Sequence, residues 1–249
     1  MSPAATEART ARTTGGRTGS GRSRSGRTRA GLTDLTLERS LFEAGHRSVI
    51  GMDEVGRGCI AGPVGVGAVR FDLERLLAGP IPAGIDDSKK IAASRRGALA
   101  DTVRDWQPDS TVAYADPAEI DALGMTMALC LAGRRALAAL PTADLVLLDG
   151  SFDWLSAPLT LDAHPVFGPA AEVPVPTVRT VVKGDGTHVT IAAASLVSKV
   201  DRDALMSSLA VDVPGYGWDS NAGYPSPAHK QAVRDLGVTV HHRRSFRLS

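Results

Sequence analysis

Ser48-Val-Ile-Gly-Met-Asp-Glu-Val-Gly-Arg-Gly58 is the stretch on which the fold turns. Ser48 to Val55 reads as a strand, and Gly56-Arg57-Gly58 breaks it. Asp53 and Glu54 therefore stand where an apolar segment runs into glycine. The same figure recurs further on: the apolar run Leu145 to Leu148 ends in Asp149-Gly150, and Thr177 to Val182 leads through Lys183-Gly184 to Asp185. Three strand ends thus deliver bare carboxylates to the rim of a sheet instead of its solvated face. Such a set suits a hard divalent cation, Mg²⁺ or Mn²⁺, because both prefer oxygen ligands. Cations held this way commonly serve phosphate chemistry. Neighbouring strand residues point to opposite faces. Asp53 and Glu54 could therefore meet at one ion only through a bend, which Gly56-Arg57-Gly58 permits. Taken alone, an Asp-Glu pair is also the ordinary content of a solvated strand end.

Outward from this stretch, Leu32 to Ala44 has the spacing of a short helix. Ile60 to Phe71 reads as a second strand, whose glycines imply a bulge or the close approach of another backbone. Residues 72–86 read as a loop, Ser88 to Trp106 as a helix and Thr111 to Ala115 as a third strand. Asp116-Pro117 opens a helix with a capping residue and proline at its first position, and helical periodicity continues to about Leu140. Leu145 to Leu148 is wholly apolar, as in a sheet covered on both faces. Five prolines between 155 and 176 imply a loop or a hairpin insertion, and Val189 to Leu209 and Ser226 to Leu236 read as helices. The order implies an α/β fold on a mixed sheet of five strands with a helical C-terminal segment.

The 249 residues suffice for one sizeable core. No apolar run approaches the roughly 18–20 residues needed to span a bilayer. Cys59 and Cys130 make neither a metal-ligand spacing nor a disulfide framework, so a reducing cytoplasm is expected. Net charge is +1, but residues 1–30 hold seven arginines and one Glu, leaving −5 for the rest. Residues 1–44 are thus expected to form a basic, Arg/Gly/Ser/Thr-rich, largely disordered extension, and 45–249 a single domain. The extension reads as a solvated tail; an Arg-rich, acid-poor start also suits a transit peptide, though it lacks an apolar face. Loose attraction to nucleic-acid phosphates is its most direct use. Of 28 basic residues only five are lysines, and Lys89, Lys90, Lys183 and Lys199 all lie beside candidate motifs. A compact ammonium is a different tool from a guanidinium fork.

Gly51-Met-Asp-Glu-Val-Gly-Arg-Gly58, with Ala61-Gly-Pro-Val64 behind it, resembles the type 2 ribonucleases H, specifically bacterial ribonuclease HII. Further blocks match in order: Asp87-Ser-Lys-Lys90, Leu148-Asp-Gly150, Val182-Lys-Gly-Asp185, Ala193 to Asp203, Gly215-Tyr-Gly-Trp218, Gly223-Tyr-Pro225 and His242-Arg-Arg-Ser-Phe246. The resemblance implies the ribonuclease H fold, a five-stranded mixed sheet flanked by helices. It implies Asp53, Glu54, Asp149 and Asp185 as catalytic metal ligands for Mn²⁺ or Mg²⁺, two ions in the substrate complex. Gly56, Arg57 and Gly58, assisted by Tyr224, would sense a ribonucleotide 2′-hydroxyl, the group that separates RNA from DNA. Without the resemblance Tyr224 is a packed aromatic before a proline turn. Ser88, Lys89 and Lys90 make either a capped, solvated helix start or a phosphate seat, and Lys183 and Lys199 either hold the nucleic acid or balance carboxylates. Asp201, Arg202 and Asp203 suit ion pairs, and His241 and His242 suit packing or orientation. Cys59 stands where the family commonly has proline, and Ser151 where it commonly has asparagine.

The implied activity is metal-dependent hydrolysis of the RNA strand of RNA–DNA hybrids, with incision 5′ to single ribonucleotides in duplex DNA. The ends would be 5′-phosphate and 3′-hydroxyl, and the cellular role removal of misincorporated ribonucleotides and RNA primers. The enzyme is expected to act as a monomer on hybrid or ribonucleotide-containing duplex, away from membranes. Two rivals are a DNA-only nuclease on the same sheet and a non-catalytic nucleic-acid binder. A 2′-hydroxyl sensor is superfluous to the first, and clustered carboxylates repel phosphate in the second.

Overall fold

The computed structural model describes residues 34–85 and 91–248. The arginine-rich tail and Ser88, Lys89 and Lys90 lie outside them. Strands β1 (Ser48–Val55) and β2 (Val64–Asp72) form the antiparallel hairpin, with Met52 opposite Ala68 and Glu54 opposite Val66. β3 (Ser110–Ala115) pairs antiparallel with β2. β4 (Leu145–Asp149) and β5 (Thr177–Val181) add in parallel on the other side of β1. The five-stranded mixed sheet runs in the order β3-β2-β1-β4-β5.

Eight α-helices are present among the described residues: α1 (Thr36–Glu43), α2 (Leu73–Ala78), α3 (Ala93–Trp106), α4 (Pro117–Ala138), α5 (His164–Phe167), α6 (Val189–Asp212), α7 (Trp218–Asn221) and α8 (Pro227–Leu236). On one face of the sheet Ile50, Met52, Val146 and Leu148 pack under Leu129 and Leu131 of α4. On the other, Val49, Phe71, Leu145 and Leu147 pack under Ile191, Ala193 and Leu196 of α6, with α1 and α3 at its flanks. Each such side chain stabilises the fold by about 1.5–3 kcal/mol on burial. Helix α6 sits so low on the sheet that a Cβ at Gly51 or Gly67 would collide with the carbonyl oxygen of Thr190 or Ala194. The strand glycines are therefore what allow close approach, and the approach brings Ser195 and Lys199 of α6 to the strand ends.

Several boundaries differ from the sequence reading. β2 starts at Val64, not Ile60, because residues 60–62 bond to the C-terminal segment. The Ile60 N–H donates to Gly223 O (2.9 Å), the Gly62 N–H to His241 O (2.8 Å), and the Arg243 N–H to Ile60 O (2.9 Å). Residues 73–78 are helix, not loop: Asp72 accepts a capping bond from the Arg75 N–H, and Leu73 and Leu76 are buried. α3 begins at Ala93, not Ser88, with Ala92 in the N-cap position. α4 has its full capping box, Asp116 with Glu119, and kinks at Gly124, whose φ is 73°. The 155–176 stretch holds α5 and a 3₁₀ turn (Gly168–Glu172) against α4, not a hairpin. Helix α1 lies within the 1–44 segment yet buries Leu37 and Leu41 in the core, so the folded unit reaches back at least to Asp34. No described helix is long and apolar enough to cross a membrane.

Candidate active site

Met52 pairs with Leu148 across β1 and β4, so the next residues, Asp53 and Asp149, end neighbouring parallel strands side by side. Both belong to the α6 face. Asp53 is 9 % exposed. Burial is the main influence on it and pushes its carboxyl up to about 8; a Ser195 hydrogen bond works the other way, and the charges of Asp149, Glu54 and Asp185 add to the rise. Glu54 sits on the opposite face of β1, where Arg57 Nη1 holds its Oε1 at 3.3 Å. Both acids nonetheless line one cleft of about 400 Å³, together with Asp149, Gly56, Arg57, Gly58 and Tyr224. The bend at Gly56, φ 79°, turns the chain there as the glycines suggest.

Asp185 is reached differently. Asp149 Oδ1 accepts the N–H of Gly184 at 2.7 Å and that of Asp185 at 3.3 Å, pinning the 3₁₀ turn Gly184–Gly186 to the end of β4. Lys183 enters this turn with a left-handed φ of 58°. Asp185 is buried beside Asp149 and is not part of the cleft wall. Among the described residues no three Asp, Glu, His or Cys side chains are grouped closely enough to share an ion. The donor set, oxygen-only with a carboxyl driven upward by burial and further by neighbouring charge, fits a hard dication chemically. Sharing one would require the carboxylates to rotate toward each other.

The second wall is the loop 56–58. Tyr224 is 46 % exposed, and its ring Cε1 would stand 3.7 Å from a Cβ at Gly58, leaving a slot between loop and ring. Two buried arginines support this wall. Arg202 donates to the carbonyls of Pro63 (3.0 Å), Ala222 (2.9 Å) and Ala61 (3.3 Å). Arg243 donates to those of Gly62 (2.9 Å), Arg57 (3.1 Å) and Gly56 (2.8 Å). An ion-pair role for Arg202 is thus corrected: its donors are taken by main-chain carbonyls. Asp201 pairs with Arg104, and Asp203 with Lys199 Nζ at 2.6 Å. Cys59 is buried; its N–H closes the turn onto Gly56 O (3.2 Å) and its Sγ reaches Ala222 O (3.4 Å). Proline at 59 could not make the first bond.

Lys199 lines the cleft; Lys183 is exposed and does not. Arg96, Ser195 and Ser198 line it too, and the sequence reading gave them no role. Ser195 and Ser198 carried a signal in lying within the matching block Ala193 to Asp203; Arg96, on an unremarkable helix, carried none. Behind Tyr224 a chain of neutral histidines also went unforeseen. The Thr239 N–H donates to His242 Nδ1 (3.0 Å), which leaves the His242 proton on Nε2, facing His229 Nε2 at 3.4 Å. His229 Nε2 also accepts from Trp218 Nε1 (3.0 Å), so its own proton is on Nδ1 and goes to the Tyr224 carbonyl (2.8 Å). Burial holds both rings neutral, pushing His242 down to about 4. His242 packs on Tyr216 and Trp218, the packing half of the packing-or-orientation expectation.

Comparison with known proteins bears on the family and the fold. Residues 50–249 match the family model for ribonuclease HII. Ribonuclease HII of Streptomyces avermitilis is 44% identical over 213 residues, covering 85% of this chain and 82% of the relative. That of Ruegeria pomeroyi is 45% identical over 215 residues, covering 86% and 82%. Among solved structures, ribonuclease H2 from Pyrococcus horikoshii superposes with a TM-score of 0.61 at 26% identity, over 81% of this chain and 94% of that one. A Bst ribonuclease HIII in complex with Mn²⁺ shares the fold, with a TM-score of 0.57 at 20% identity, over 81% and 67%. On the family match, the two bacterial relatives and the shared sheet, the chain belongs to the ribonuclease HII family.

Proposed function

We propose that the cleft between Asp53 and Tyr224 is where this chain performs the ribonuclease HII reaction. That reaction is hydrolysis of RNA in RNA–DNA hybrids and at ribonucleotides embedded in duplex DNA. The cut falls on the 5′ side of the ribonucleotide and leaves 5′-phosphate and 3′-hydroxyl ends. One observation carries the assignment: carboxylates on two adjacent strand ends face, across about 400 Å³, a glycine loop and an aromatic ring. A phosphodiester and its ribose call for those two kinds of neighbour.

Asp53, Glu54, Asp149 and Asp185 would hold Mn²⁺ or Mg²⁺, two ions with substrate present. When bound, the ions supply water activation and stabilisation of the leaving 3′-oxygen. Ser195 fixes the Asp53 carboxylate, and Asp149 holds Asp185 through the turn it caps. Gly56, Arg57 and Gly58 offer backbone to the 2′-hydroxyl, and the Tyr224 ring offers a stacking face to the sugar or base. Lys199 and Arg96 extend positive charge along the cleft for the flanking phosphates. Exposed Lys183 serves the backbone further along, and Ser88, Lys89 and Lys90 a neighbouring phosphate. The two cysteines are free and buried, which suits a reducing cytoplasm. There a monomer would excise misincorporated ribonucleotides and RNA primers.

Three end-labelled duplexes test the reading: all DNA, DNA with one ribonucleotide, and a full RNA–DNA hybrid. The second and third should be cut and the first left intact. A hybrid cut while the single-ribonucleotide duplex survives would overturn the role of the loop. Cleavage of all-DNA duplex would favour a DNA nuclease on the same sheet.

A further inference from the structure

The guanidinium of Arg243 is completely buried, yet no carboxylate pairs with it among the described residues. Burying a cation without a counter-charge is costly, and here burial also lowers its pKa to about 10. Its donors go to three carbonyls, and two of those, Gly56 and Arg57, are consecutive in the loop that lines the cleft. No cis peptide is present among the described residues. Across a trans peptide the C=O and the following N–H point in opposite directions. A fork that draws the Gly56 and Arg57 carbonyls inward must turn the N–H groups of Arg57 and Gly58 outward. Neither N–H has a hydrogen-bond partner among the described residues, whereas the next one, Cys59 N–H, bonds back to Gly56 O.

We propose that Arg243 is the positioning residue of the ribose-reading loop: its fork fixes two successive peptide planes so that the Arg57 and Gly58 N–H groups face the cleft as preset donors to a 2′-hydroxyl oxygen. The proposal rests on the reading of residues 56–58 given above, and adds what holds them. The donors are backbone groups, so no side chain in the loop can specify their direction. A lysine at 243 carries the same charge but is a point donor, unable to bridge both carbonyls and reach Gly62 as well.

The test measures binding of two duplexes that differ by one hydroxyl: DNA with a single ribonucleotide, and the same sequence all DNA. Fluorescence anisotropy is read with Ca²⁺ in place of Mg²⁺, to hold cleavage off. Arg243→Lys should lower the preference for the ribonucleotide duplex about tenfold, by weakening that complex alone. Tyr216→Phe, which removes the Tyr216 Oη bond to Gly237 O (2.9 Å) in the same C-terminal segment, controls for loss of stability and should keep the wild-type preference. Should Arg243→Lys not fold, Arg243→Gln is measured in the same way. Wild-type preference in whichever variant folds overturns the proposal. So does failure of both to fold, because Arg243 would then be a stability residue of the whole domain. A wild-type protein that binds both duplexes equally defeats the reading of the loop itself, a separate outcome.

Discussion

The two walls of the cleft are ordered by opposite means. On the strand-end wall burial pushes the Asp53 carboxyl up to about 8, and the like charges of Asp149, Glu54 and Asp185 add to the rise. On the loop wall the buried charges are cations, Arg202 and Arg243, each satisfied by three carbonyl oxygens. The groups they present to the cleft are neutral backbone. The first wall is electrostatically frustrated and built to receive positive charge. The second is saturated with hydrogen bonds and set in advance. On the proposed function, chemistry falls to the strained wall and discrimination to the rigid one, a division that can be broken experimentally.

The largest effect should come from the strained wall. Asp53→Asn, Asp149→Asn and Asp185→Asn should each slow cleavage of a labelled hybrid by on the order of 10²-fold or more, because the charge proposed to hold the metal is lost. Three variants that hydrolyse at near-normal rates in saturating Mn²⁺ would remove these residues from the chemistry. Asp185 is the sharpest of the three, since it lies outside the cleft wall and its effect must run through rearrangement beside Asp149.

A smaller, selective effect is expected on the rigid wall. Tyr224→Ala should cost roughly 1–3 kcal/mol of binding in the transition state, by analogy with base–aromatic stacking. The loss should be greater for the single-ribonucleotide duplex than for a long hybrid, where neighbouring 2′-hydroxyls offer other registers. Steady-state kcat/KM on both substrates gives the comparison. Equal losses would mean that the ring supports binding generally and has no part in discrimination.

The smallest effect separates frustration from stability. Asp53 has an ordinary pKa of 3.8 and a folded-state value of about 8. Between those values the folded chain keeps a proton that the unfolded chain has released, so the stability contributed by this group falls as pH rises from about 4 to about 8. In EDTA, Asp53→Asn should therefore melt above wild type at pH 8, by about 2–4 °C per kcal/mol relieved. The gap should close toward pH 4. A variant that melts below wild type at pH 8 would show that the carboxylate stabilises the apo fold.

The fold was legible in the sequence because its signals are local: apolar runs ending in glycine for β1 and β4, and Asp116-Pro117 for α4. The glycines of the second strand implied a bulge or a close backbone approach, and α6 makes that approach at Gly67; the same approach at Gly51 went unread. Helix α2 was hidden although Asp72 was a readable cap, since the Pro/Gly-rich stretch after it dominated the window. The carboxylates were visible as strand-end residues, but how each is held was not. Asp149 caps a turn with its side chain, and Ser195 reaches Asp53 from a helix more than 140 positions away. Arg202 and Arg243 were least legible of all. Their partners are carbonyl oxygens, which every residue possesses, so no spacing of residue types can reveal them.

The Arg243 bond to Gly56 spans 187 positions of chain. During synthesis at roughly 5–20 residues per second, the loop waits on the order of 10–40 s after its own emergence before its anchor exists. A nascent chain can pair β1, β2 and β4 and assemble the carboxylate end of the cleft while residues 56–58 still sample other peptide orientations. Discrimination would thus be acquired later than the carboxylate end of the cleft, arriving only once Arg243 has followed the loop by 187 positions.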